Sequence, residues 1–125
     1  VSQTVGSTTV SATKTTRIQV DTAGVYDFQF SAQLDNTSGG NHTAYIWLRK
    51  NGTDVPQSAG RCVLKGVDGD LVAAWNYFLN LAANDYIEFM WSAVDTAVQM
   101  TAAAAAAPVP ATPSLIVTVA NNISA

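Results

Sequence analysis

The sequence predicts an all-β domain, an antiparallel sandwich or barrel, on three observations. Apolar and polar residues alternate over strand-length stretches, turn-forming residues recur at regular spacing, and no amphipathic helical stretch of useful length occurs. The 125 residues suit one core, since a chain of this size hides roughly two thirds of the surface its unfolded form exposes.

Residues 1–16 are rich in Ser and Thr and read as an N-terminal arm or edge strand, and Arg17 to Val20 as the first clear strand. After Gly24, the residues Tyr26, Phe28, Phe30, Ala32 and Leu34 share one face of a strand, with Asp27, Gln29, Ser31 and Gln33 on the other. Asp35 to Asn41, "DNTSGGN", reads as a loop by its turn formers. "TAYIWLRK" follows as a strand apolar on both faces, Ala44, Ile46 and Leu48 on one and Tyr45 and Trp47 on the other. Asn51-Gly52 then marks a tight hairpin, with the return starting in "TDVPQSA".

"RCVLK" is a short strand leading into a turn from Gly66 to Asp70. Two strands flank the turn "AAND". In the first, Trp75, Tyr77, Leu79 and Leu81 alternate with Asn76, Phe78 and Asn80. In the second, Ile87, Phe89 and Trp91 oppose Tyr86, Glu88, Met90 and Ser92. "AVQMTA" is a further short strand, Ala102 to Ala107 a loop ended by Pro108, and "PSLIVTVA" a closing β-branched strand.

Charged residues make up 12% of the chain and the net charge is −3, with a pI near 4.7. No basic field is present to attract phosphate backbones or anionic lipid, so neither nucleic acid nor a membrane surface is an expected partner. The alanine run is far short of the roughly 20 residues that span a bilayer.

The sequence suggests no enzyme. His42 is the only histidine, is expected in a Gly/Asn loop and has no nucleophile elbow near it. Glu88 and Asp85 do not read as a glycosidase pair, because alternation puts Glu88 beside Tyr86 and Met90 on a solvated rim. Cys62 stands alone and reads as a packing residue. Oxygen ligands in Asp35-Asn36-Thr37 and Asp68-Gly69-Asp70 could hold calcium, but no bidentate Glu follows and turn formation explains them. No catalytic residue, metal or cofactor is therefore assigned. The triplets at Asn36, Asn41, Asn51 and Asn122 fit the glycosylation pattern, which loop-rich β proteins carry in any case.

A sandwich strand facing water is polar on one side. The strand at Tyr45 to Leu48 is not. With Ile46 and Leu48 in the core, Tyr45 and Trp47 need a second apolar environment, and a similar surplus recurs at Phe78 opposite Trp75 and Tyr77. Apolar surplus of this kind marks interaction surfaces. Tyr45, Trp47, Trp75, Tyr77 and Phe78 are therefore the candidate subunit-interface residues, the alternative being that a covering loop or the N-terminal arm shields them within one subunit.

The order "AGVYDFQFSAQLDN", "YIWLRKNGTDVP", "VAAWNYFLNLAANDYIEFMWSAVDT", "PATPSLIVTV" resembles the jelly-roll heads of the complement globular-head and tumour-necrosis-factor-like fold. It looks closest to the version found in structural proteins of tailed bacteriophages. The resemblance covers about residues 23 to 120, and the chain departs from it in having only a short stretch where the family has two or three more strands. It implies a two-sheet antiparallel jelly roll over residues 17–125 that assembles as a homotrimer in the virion. Its partner would be the major capsid protein or a fibre shaft.

Two functions follow as expectations. One is a capsid-decorating or cement protein, favoured over a fibre because a fibre needs a stalk, with the N-terminal arm reaching across a neighbouring capsid subunit. The alternative is the knob of a fibre that binds a host receptor or carbohydrate, with Trp47, Trp75 or Trp91 stacking on sugars.

Overall fold

The structure, a computed structural model, describes residues 2–5, 8–14 and 17–121. The predicted sequon at Asn122 lies outside them, as do Val1, Gly6, Ser7, Thr15 and Thr16 of the predicted arm. The described residues are all-β, with the strands β1 (Ser2–Val5), β2 (Thr8–Lys14), β3 (Arg17–Val20), β4 (Gly24–Asn36), β5 (Asn41–Lys50), β6 (Thr53–Asp54), β7 (Gly60–Lys65), β8 (Leu71–Leu81), β9 (Tyr86–Ala93), β10 (Val98–Met100) and β11 (Leu115–Asn121).

They form two antiparallel sheets, an arrangement compatible with a sandwich. The larger runs β1-β2-β3-β9-β5, and β5 pairs on its far side with β7 and then β6. In the smaller, β4 is central, with β8 along one edge and β11 and β10 in tandem along the other. The chain moves between sheets repeatedly: β3 is in the larger, β4 in the smaller, β5 to β7 in the larger, β8 in the smaller, β9 in the larger, and β10 and β11 in the smaller.

Alternation along β4 explains why the sheets stack. Tyr26, Phe28, Phe30, Ala32 and Leu34 are all buried, as are Ala44, Ile46 and Leu48 of β5. One half of the core joins Phe30 and Leu34 to Ala44, Ile46 and Leu64, and the other joins Phe28 and Leu81 to Leu48 and Ile87. Residues from both sheets thus meet in each half. Phe30 is the pivot, its ring 4.7 Å from that of Trp75 and 5.3 Å from that of Phe89. A fully buried aromatic or aliphatic side chain of this type contributes about 1.5–3 kcal/mol.

The loop after β4 is shorter than its turn formers predict. Asp35 and Asn36 remain in the strand and β5 starts at Asn41. Asn36 is completely buried. Its Oδ1 accepts from the Ser38 N–H at 3.4 Å, and its Nδ2 donates to the carbonyls of Gly40 at 3.0 Å and Gly66 at 2.7 Å, so its side chain braces the local turn and also ties it to the turn after β7. The Asn51-Gly52 turn is as expected, with positive φ at both residues (50° and 83°) and β5 pairing β6 through Arg49–Asp54 and Lys50–Thr53. The turn "AAND" does not close a hairpin: it carries the chain from the smaller sheet to the larger, and Asn84 stands at φ 70°. The alanine run folds back on itself, with bridges Ala103–Thr112 and Ala106–Val109.

Candidate functional site

The structure separates the five predicted interface residues into three groups. Trp75 and Tyr77 lie on the inner face of β8 and pack against the core. Trp75 Nε1 donates to Tyr77 Oη, and that hydroxyl donates in turn to the Ser58 carbonyl at 2.7 Å. Burial pushes the Tyr77 phenol above its usual pKa, opposed by the bond from Trp75. Phe78, one residue on, points outward from the smaller sheet and is 59% exposed. Tyr45 and Trp47 are on the outer face of the larger sheet, because their neighbours Ala44, Ile46 and Leu48 occupy the core.

Two distinct outer surfaces result. On the smaller sheet, Phe78 stands opposite Asp27, with Val25, Val72 and Ile116 also exposed. Asp27 Oδ2 accepts a bond from Gln29 Nε2 at 2.8 Å. Its Oδ1 is buried and has no hydrogen-bond partner among the described residues. A buried acceptor without a donor costs about 1–3 kcal/mol, and this one is enclosed by its own subunit.

On the larger sheet, Tyr45 and Trp47 line a shallow groove of about 390 Å³ together with Asp54, Val55, Gln57 and Ser92. The Asn-Gly turn sets the geometry. By placing Asp54 opposite Arg49 it brings the carboxylate within reach of Trp47 two residues back along β5. Asp54 Oδ1 accepts from Trp47 Nε1 and from Arg49 Nε, each at 2.9 Å. The indole bond, and then the Arg49 bond, hold the Asp54 carboxyl below its usual pKa. It is therefore an ionised acceptor whose charge the guanidinium balances, and the indole ring is fixed in place by its N–H. The Trp47–Asp54 pairing was not drawn from the sequence, although the two-residue turn fixes the Arg49–Asp54 register from which it follows.

Other groups with chemical potential resolve as follows. Ser38, His42 and Asp95 come together at one end of the domain, with Ser38 Oγ 3.3 Å from His42 Nε2 and His42 Nδ1 3.8 Å from Asp95 Oδ2. His42 lies within β5 rather than in the preceding loop. Its Nε2 is also 3.2 Å from the Gly39 carbonyl, which can only accept. An Nε2 proton directed at that carbonyl prevents the same nitrogen from taking the Ser38 proton, and a distance of 3.8 Å to Asp95 is too long to fix the tautomer by a hydrogen bond. The arrangement works as a loop clasp.

Asp35 lies near Asp70 and Asp68, and burial followed by repulsion from Asp70 pushes its pKa up. Among the described residues no group of three or more His, Cys, Asp or Glu side chains is arranged to hold a metal ion. Cys62 is half-buried and packs on the core, its Sγ 3.6 Å from the Ala44 carbonyl, and burial raises its pKa. A thiol held protonated in this way is a poor nucleophile. Among the described residues no helix is long and apolar enough to cross a membrane. No protein-family model and no curated protein matches the chain.

Proposed function

We propose that the chain is a trimeric jelly-roll structural protein of a virion, decorating or cementing a capsid. The observation that carries this reading is the outer face of the smaller sheet, where Phe78, 59% exposed, stands with the exposed Val25, Val72 and Ile116. A neighbouring subunit that covers Phe78 together with Val25, Val72 and Ile116 would take this apolar surface out of water. Two antiparallel sheets between which the chain crosses repeatedly are compatible with the jelly-roll assignment. The motif resemblance supports the virion.

The two outer faces back onto one core and look in opposite directions. A head-to-tail contact between opposite faces adds copies along a line and does not close into a ring. A threefold ring needs two different patches inclined to one another, so the Phe78 face contributes together with an adjoining edge of the domain, and Tyr45 and Trp47 stay outside the interface. Their polar setting agrees with that division, because the Trp47 N–H is already bonded within the subunit.

Multi-angle light scattering after size-exclusion chromatography tests the assembly. The expected species at micromolar concentration has three times the 13.1 kDa subunit mass, and Phe78→Ser should yield a folded monomer. A wild-type monomer overturns the trimer. A reconstruction of the parent particle tests the role: density at threefold capsid positions is expected, and density at a fibre tip overturns capsid decoration in favour of a receptor-binding knob.

A further inference from the structure

We infer that the Tyr45–Trp47–Asp54 groove is a binding site for a neutral sugar, the terminal hexose of an uncharged glycan. Sugar recognition needs an apolar platform for the C–H face of the ring and fixed polar groups for its hydroxyls. The groove has both. Tyr45 and Trp47 supply the platform on one strand face, and Asp54, Gln57 and Ser92 supply polar groups around it. The platform is preorganised, because Trp47 Nε1 is bonded to Asp54 Oδ1 before any ligand arrives, so little side-chain freedom is lost on binding.

The charge balance selects the ligand class. Aromatic rings beside a carboxylate also suit an ammonium group, which is drawn to the ring faces and the negative charge. Here Arg49 Nε lies 2.9 Å from the same Asp54 oxygen and offsets that charge, which removes most of the attraction for a cation. The same pairing engages the Arg49 guanidinium, so an anionic sugar finds no free cation to pair with in the groove. A neutral hexose suffers neither penalty, and a hydroxyl can donate to Asp54 Oδ2 while the ring lies on the indole. The groove faces away from the Phe78 surface, so it remains accessible whether or not the chain assembles as proposed, and it serves equally on a capsid or on a fibre.

Titration of the full chain with the methyl glycosides of glucose, galactose and N-acetylglucosamine, followed by Trp fluorescence and by amide chemical shifts, tests the inference. At least one is expected to bind with a dissociation constant on the order of 1 mM, ordinary for a single small ligand. Glucuronic acid and choline should bind at least ten-fold more weakly. Tyr45→Ala and Asp54→Ala should each weaken the preferred sugar at least ten-fold, and Asp54→Ala, at an exposed turn, leaves the core untouched. Phe78→Ser should leave the affinity for a single sugar unchanged, which separates this site from the assembly surface. The inference is overturned if no neutral glycoside binds below about 10 mM, if choline or glucuronic acid binds more tightly than every neutral sugar, or if both groove variants bind like the wild type.

Discussion

Gly60 and Trp75 meet across the space between the two sheets so closely that a Cβ on Gly60 would overlap three carbons of the indole ring. Gly60 opens β7 opposite Ile46 and faces inward. The ring cannot swing away freely, because its N–H is bonded to Tyr77 Oη and that hydroxyl is bonded to Ser58. Gly60→Ala is expected to destabilise the domain by about 1–3 kcal/mol, the range for overpacking a filled core. Gly24→Ala provides the control, since a Cβ there meets nothing within 4 Å. Urea denaturation of the two variants checks the difference.

Asn36→Ala should be among the more damaging polar substitutions. The buried amide satisfies the carbonyls of Gly40 and Gly66, and an alanine leaves both without that donor. A loss of about 2–3 kcal/mol is expected from two hydrogen bonds of this kind. Amide hydrogen exchange should show faster opening at the turns after β4 and β7 than elsewhere, and uniform acceleration over the whole domain would argue against a local tie.

Gly52→Ala tests the link between the turn and the groove. Gly52 sits at φ 83°, where an alanine costs roughly 1–2 kcal/mol. Any relaxation of the turn shifts Asp54 relative to Trp47, so Trp fluorescence and sugar affinity should change together. A fluorescence spectrum identical to that of the wild type would mean that the Trp47–Asp54 bond does not depend on this turn.

The parts of this fold that rest on local pattern were legible in the sequence. The inward face of β4 from Tyr26 to Leu34, the inner placement of Trp75 and Tyr77 and the outward placement of Phe78 all follow from a period of two, and the Asn-Gly turn follows from its φ requirement. What depends on long-range contact was not. Asp35 and Asn36 carry the composition of a turn, yet they stay in the strand because the Asn36 amide finds partners in Gly40 and, 30 residues on, in Gly66. Nothing local to "AAND" distinguishes a hairpin from a crossing between sheets. The buried, donorless oxygen of Asp27 is likewise a property of the assembled face and not of the tripeptide around it. The five candidate interface residues share aromatic character but not a common surface, which only the pairing of β8 with β4 and of β5 with β9 reveals.

Acid titration should separate two carboxylates whose shifts have opposite signs. Asp85 accepts bonds from Asn51 Nδ2 at 2.7 Å and from the Ala82 N–H at 2.8 Å, and it pairs with Lys50 at 3.1 Å. The Asn51 bond first, and then the Ala82 bond, hold its pKa down. A folded-state pKa below the unfolded one contributes stability that is present above the unfolded value and is lost as pH falls through the folded value. Asp35 is the reverse: its pKa is raised by burial and by Asp70, so the folded chain holds that proton more tightly. Its penalty is fully present above the raised pKa and is relieved as pH falls toward the unfolded value. Asp85→Asn should therefore lower stability at neutral pH and flatten the acid limb of the stability curve. Asp35→Asn should raise stability at neutral pH and steepen the fall toward low pH. Urea midpoints recorded between about pH 7 and pH 3 read both effects, and a parallel shift of the two variants in the same direction would contradict the opposite signs assigned to these sites.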